Sequence, residues 1–218
     1  MKTKTINKMM IIAALSGLLF VSCSSDAVEA GEKKESAQAS EHSITYRVNT
    51  SESELHWHGK KLAYGHSGLI TISSGSLSME ADKLSAGKFE IDMKTIKETG
   101  ENIDPEKASQ LEGHLMSADF FDVEKFPLST FEITAAEKNA DGTYKISGNL
   151  TIKGITKNIE FPATIQTTGD KLMAQAEFTI NRTNWDIKYG SGISGAVGDM
   201  VISDDITFKV ILKADKQL

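Results

Sequence analysis

The chain has one cysteine, Cys23, so no disulfide can form within it. It has three prolines, Pro105, Pro127 and Pro162, too few for a proline-rich linker. Basic residues are not in excess: 24 Lys and Arg stand against 30 Asp and Glu, giving a formal charge of −6. Without a basic stripe the chain is a poor nucleic-acid binder and adheres weakly to anionic lipid by charge. No Ser-His-Asp order, cysteine nucleophile or paired-carboxylate motif is present, and the glycines Gly190, Gly192, Gly195 and Gly198 lack the Lys-Ser/Thr of a phosphate loop. The sequence therefore offers no ground for an enzyme. No repeat of solenoid length is visible.

The one long apolar run is Met9 to Val21, interrupted by Ser16 and Gly17 and preceded by Lys2, Lys4 and Lys8. A positive n-region and a short h-region make a secretory signal rather than a spanning helix. It ends in Leu19-Phe20-Val21-Ser22-Cys23, which resembles a bacterial lipobox with phenylalanine where leucine is usual. Residues 1–22 are expected to be removed and Cys23 to carry a diacylglycerol on sulfur, with palmitate among its acyl chains. Each buried methylene contributes about 0.8 kcal/mol, so two or three chains hold firmly. Removal of residues 1–22 lowers the formal charge from −6 to −9, because three lysines and no acid are lost. Residues 23–42 are mostly Ser, Ala, Glu, Lys and Gln and are expected to form a disordered acylated tether. No aspartate directly follows Cys23, which fits an outer-membrane lipoprotein, facing either the periplasm or the exterior.

From Ile44 the pattern has period two. Ile44, Tyr46 and Val48 alternate with polar residues, and Phe89, Ile91 and Met93 form the cleanest strand. Ser73-Ser74-Gly75-Ser76 is expected to turn a hairpin. Leu55 and Trp57 point inward, which leaves His56 and His58 facing solvent; with only His66 nearby, no metal site is expected. The period breaks at Asp104-Pro105, a helix start, and a helical insert is expected over about 105–122, with one further turn at Ala118–Phe121. Strands resume after Pro127. Pro162 marks an edge or a bulge. The domain, residues 43–216, is expected to be all-β: a lipocalin-like antiparallel β-barrel of about eight strands, whose interior either fills or holds one small ligand.

Three motifs are more specific. They are His114-Leu115-x-Ser117-x-Asp119-Phe120-Phe121-Asp122-Val123-x-Lys125-Phe126-Pro127-x-x-x-Phe131, Gly148-x-Leu150-Thr151-Ile152-x-Gly154-Ile155-Thr156-Lys157, and Phe178-x-Ile180-x-Arg182-x-x-Trp185-x-Ile187. In this order they resemble the YceI-like family, over roughly residues 44–213. One departure is Leu111-Glu112-Gly113, where many members carry an Arg-Asp pair. The resemblance implies a barrel with a long apolar cavity, and members that bind polyisoprenoids or similar amphiphiles in the periplasm or outside the cell.

The expected function is a non-catalytic, membrane-tethered carrier or reservoir for an isoprenoid-type or other long-chain lipid, with no cofactor beyond that lipid. Phe89, Ile91, Phe120, Phe121, Phe131, Phe178 and Trp185 are the expected ligand-contacting side chains. His114, Asp119 and Arg182 are the expected polar group, orienting a lipid head or clamping the insert, with Asp119 or Asp122 as the acid paired to Arg182. Asp119 is also placed to cap the turn that follows it. For His114 alone, a ring bonded to a backbone carbonyl is preferred to one touching ligand. The alternative is an envelope stress or interaction module with a filled core, acting through its surface.

Overall fold

Alternating side chains build nine strands among the residues that the computed structural model describes, 27–61, 64–101 and 103–217. They are β1 (Ile44–Val48), β2 (Glu54–Lys61), β3 (Tyr64–Glu80), β4 (Lys83–Glu98), β5 (Leu128–Lys138), β6 (Tyr144–Ile152), β7 (Ile155–Thr168), β8 (Lys171–Asn181) and β9 (Asp205–Lys216). Helix α1 (Pro105–Met116) lies between β4 and β5. All pairings are antiparallel and the β3–β4 pairing closes the ring. β1 and β2 share the same two neighbours, β3 and β9, and lie end to end. Nine strands thus occupy eight barrel positions, and closure removes the exposed edges of an open sheet.

The Ser73–Ser76 stretch does not turn. It lies inside β3, which runs unbroken past three register shifts against β4. Small polar residues mimic a turn here because the inner wall needs room. A Cβ on Gly75 would stand 2.7 Å from the Phe89 ring and 2.9 Å from Val48. The reversal comes later, at Ala81 and Asp82, both with positive φ (45° and 63°), the geometry a two-residue hairpin favours.

The insert forms for local reasons. Asp104 accepts from the amides of Glu106 (2.9 Å) and Lys107 (3.2 Å), and Pro105 opens α1 where its missing N–H costs nothing. Past Met116 the chain makes tight turns rather than another helical turn: Asp122 N donates to Ser117 O (2.8 Å) with Asp122 at φ 47°. Glu112 bolts the helix to the end of β4, pairing with Lys97 (2.7 Å) and accepting from Glu98 N (3.0 Å). The Lys97 hydrogen bond is the main reason the Glu112 carboxyl titrates below its ordinary value; burial opposes it.

The barrel is split along one seam. β7 pairs with β8 only between Ala163–Thr168 and Lys171–Ala176; beyond that the two strands separate. Pro162, which has no N–H to give, stands at the start of the separation. Into this seam runs the N-terminal segment expected to be part of a free tether. Val28 N donates to Thr179 O of β8 (2.7 Å), and Gly31 forms a bridge to Asn158 of β7. The side chain of Asn149 then holds Lys34 like a second backbone, accepting from its N (3.0 Å) and donating to its O (2.7 Å). Ala37 N reaches Ile133 O of β5 (2.9 Å). Composition indicated disorder because little apolar surface is available, but two unpaired strand edges supply the backbone partners instead. Cys23 and residues 1–22 lie outside the described residues.

Asn149→Ala removes both bonds to Lys34, each worth about 1 kcal/mol. Hydrogen exchange at the amides of Val28, Gly31 and Ala37 is expected to accelerate while the barrel strands keep their protection. Unchanged exchange at those three amides would show that Asn149 does not hold the segment.

Candidate functional site

The inner wall carries a belt of phenylalanines. Phe89 on β4 stacks near Phe131 on β5 (ring centroids 6.4 Å), Phe131 reaches Phe161 on β7 (5.5 Å), Phe161 stacks on Phe178 on β8 (4.3 Å, 12° between planes), and Phe178 meets Phe208 on β9 (5.8 Å). β6, between β5 and β7, contributes no ring. It contributes Gly148, over which Phe131 lies: a Cβ there would stand 2.1 Å from the Phe131 ring. The first glycine of the second motif is therefore a slot for a neighbour's aromatic ring.

These rings line an internal cavity of ≈ 140 Å³. All of its lining side chains except Ser129 and Gln175 are apolar. That volume compares with cavities that admit a single aromatic ring and stay dry, and it is below the ~300–1,000 Å³ of ordinary ligand pockets. The barrel is neither solid nor wide open. Of the side chains expected to contact ligand, Phe89, Ile91, Phe121, Phe131 and Phe178 line the cavity. Phe121 is the insert residue that reaches it.

Phe120 and Trp185 do not line it. Adjacent residues cannot both point inward, so Phe120 turns the other way, against His114 (5.0 Å) and Tyr189 (5.5 Å). Trp185 is fully buried in a 3-10 turn, Arg182–Trp185, and donates its indole N–H to Leu150 O (3.1 Å).

The expected polar group is likewise not on the cavity wall. His114 does not bond a backbone carbonyl through its ring. Its Nε2 lies 3.1 Å from Asp119 Oδ2, and the ring sits between Phe120 and Tyr189. Asp119 is spent on that contact and does not cap the following turn; Ser117 Oγ receives the Asp119 amide instead. Arg182 pairs with neither Asp119 nor Asp122. It is 1% exposed and lies 3.1 Å from Asp204, while Asp122 pairs with Lys125. Arg182 also donates to the carbonyls of Ser203 (3.0 Å), Ile187 (2.7 Å) and Ile202 (3.1 Å), and its guanidinium lies 5.9 Å from the Phe120 ring. Burial pushes the guanidinium below its ordinary value and Asp204 pushes it back up. The residue organises the segment between β8 and β9.

Two buried polar groups escaped the sequence reading. Asn149, 2% exposed, holds the N-terminal segment. Glu98 accepts from Gly100 N (2.7 Å) and lies 3.1 Å from His66 Nδ1. Its position on the inward side of β4, where an acid breaks the apolar pattern, was the available signal. His56 lies 2.7 Å from Glu54, on the opposite side from buried Leu55 and Trp57. Among the described residues no three His, Cys, Asp or Glu side chains gather as a metal site requires.

A family model described as the YceI-like domain matches residues 46–214. The chain belongs to the YceI-like family. Among curated relatives, a UPF0312 protein of Pseudomonas putida is 31% identical over 135 residues, 59% of this chain and 67% of the relative. Another, from Pseudomonas fluorescens, is 30% identical over 156 residues, 68% of this chain and 78% of the relative. Solved structures share the fold. BcnA of Burkholderia cenocepacia superposes with a TM-score of 0.64 at 20% identity, covering 77% of this chain and 99% of BcnA. A polyisoprenoid binding domain from Saccharophagus degradans gives 0.57 at 13% identity, covering 79% and 98%. In this YceI-like chain, all three motifs have structural explanations: the insert and its Phe121, the Gly148 slot, and the Arg182–Trp185 turn.

Proposed function

We propose that this YceI-like protein binds an isoprenoid-type or other long-chain amphiphile inside the barrel, without catalysis, as a carrier or reservoir acylated at Cys23 and held at the outer membrane. The observation that carries this reading is the cavity ringed by five phenylalanines and lined, but for Ser129 and Gln175, by apolar side chains. A neighbouring structure described as a polyisoprenoid binding domain has the same fold. The mechanism is partition: each 100 Å² of apolar ligand surface removed from water contributes about 2.5 kcal/mol. Because the void is ≈ 140 Å³, a long tail enters by turning the stacked Phe161 and Phe178 rings aside. The head is left to solvent, since His114, Asp119 and Arg182 are engaged elsewhere.

Extraction of the protein from its own membranes in mild detergent, followed by lipid mass spectrometry, tests this reading. A stoichiometric amphiphile, displaceable by a fluorescent apolar probe, is the expected result. A lipid-free protein that takes up no probe would favour the second reading, an interaction or stress module acting through its surface, to which the narrow void lends weight. Acylation has its own check: Cys23→Ala is expected to abolish palmitate incorporation, and retained label would refute the anchor.

A further inference from the structure

The two ends of the barrel differ in chemistry. At one end the reversals are polar: Glu80 to Lys83, Asn139 to Gly142 and Gly169 to Lys171. The α1 end carries six of the eight exposed large apolar side chains found among the described residues: Tyr64, Leu128, Tyr189, Ile193, Val197 and Met200. The last four belong to the loop between β8 and β9, where only Asp199 is charged from Tyr189 to Ile202. Ile193, Val197 and Met200 are 72%, 67% and 63% exposed.

This loop is held at its base. Ser191, fully buried, donates to Asp204 (2.9 Å), and Ile202 N donates to Gly190 O (2.7 Å). Arg182 holds the returning chain through the carbonyls of Ile202 and Ser203. Its apolar tip is thus presented outward on a fixed footing. Contiguous exposed apolar surface of this kind marks a contact site.

The N-terminal segment identifies the partner. Val28 is bonded to Thr179, two residues from the end of β8 and beside the base of the loop. Three residues, Ser24, Ser25 and Asp26, lie between Cys23 and Ala27, where the described chain begins. Fully extended, the four steps from the Cα of Cys23 to that of Ala27 span about 14 Å. A bilayer holding acyl chains on Cys23 therefore lies within about 14 Å of Ala27, which leaves the barrel at its apolar end.

We propose that the α1 end, centred on the loop Tyr189–Ile202, is a membrane-contact surface. Ile193, Val197 and Met200 insert below the headgroups and seat the insert end of the barrel against the lipid. This inference rests on the proposed acylation of Cys23, and the experiment separates the two.

The full-length protein, processed in cells, is reconstituted into phosphatidylethanolamine–phosphatidylglycerol vesicles whose acyl chains are brominated. Ile193→Trp and Ala140→Trp, the latter in the β5–β6 turn at the far end, each add a fluorophore to the background of buried Trp57 and Trp185. Insertion by ~5–10 Å places an indole among the bromines, so the fluorescence added by Ile193→Trp is expected to fall several-fold while that added by Ala140→Trp stays. Mass spectrometry of the same samples reads acylation. A protein that is acylated, vesicle-bound and unquenched at position 193 overturns the contact surface and leaves the anchor standing. Quenching in a protein that proves unacylated upholds the surface and refutes the anchor. An unquenched protein that runs as a dimer, and as a monomer once Met200→Glu is introduced, assigns the patch to a second copy and also overturns the proposal.

Discussion

Arg182→Leu is expected to lower the stability of this barrel by about 3–5 kcal/mol. The guanidinium is buried and its N–H groups serve three backbone carbonyls besides Asp204. Leucine fills part of the space but leaves those carbonyls with no donor and the Asp204 carboxylate with Ser191 Oγ in place of a cation, and a buried polar group without a partner is costly. Arg182→Lys is expected to recover only part of the loss, because one ammonium cannot match the planar fork. Urea denaturation followed by the fluorescence of Trp185, which sits in the same turn, reads the effect as a lower midpoint at unchanged slope. The variant should also open the Tyr189–Ile202 loop to protease before the barrel unfolds. A loss below about 1 kcal/mol, the scale of one ordinary hydrogen bond, would show that Arg182 does not organise this segment.

Filling the cavity is expected to abolish amphiphile binding. Ala174 on β8 lies on the cavity wall, flanked in register by Leu212 and Ile165. An indole in place of its methyl, in Ala174→Trp, occupies the ≈ 140 Å³ void. The overpacking costs about 1–3 kcal/mol, which a closed barrel can absorb. Ala163→Leu, a smaller change at another wall position, keeps the test meaningful if the tryptophan variant fails to fold. Both proteins should show native strand content by circular dichroism and carry no extracted lipid. Folded variants that retain a full lipid load would place the binding site elsewhere.

Much of the architecture was legible. The period-two runs gave the strands, and Asp104-Pro105 gave the start of α1. What was misjudged follows a pattern. Ser73–Ser76 has turn composition, yet Gly75 is there because Phe89 and Val48 crowd the inner wall. Arg182 was expected to pair with Asp119 or Asp122 of the insert, yet Asp204, at the foot of the β8–β9 loop, takes it, while Asp119 faces His114 and Asp122 faces Lys125. Composition reports what a side chain is able to do. Which neighbour reaches it first is settled by strands distant in sequence, as Asn149 and Lys34 show across 115 residues.

By itself the sequence determined the alternation that makes a closed antiparallel barrel, the helical insert, the apolar lining and membership of the YceI-like family. These rest on local periodicity and on motifs that can be read residue by residue. Only the tertiary structure decided that Gly148 makes room for Phe131, that Phe121 rather than Phe120 reaches the cavity, and that the cavity is narrow. It alone also showed that the N-terminal segment fills a seam between β7 and β8, because the edges that hold it become unpaired only when those two strands part.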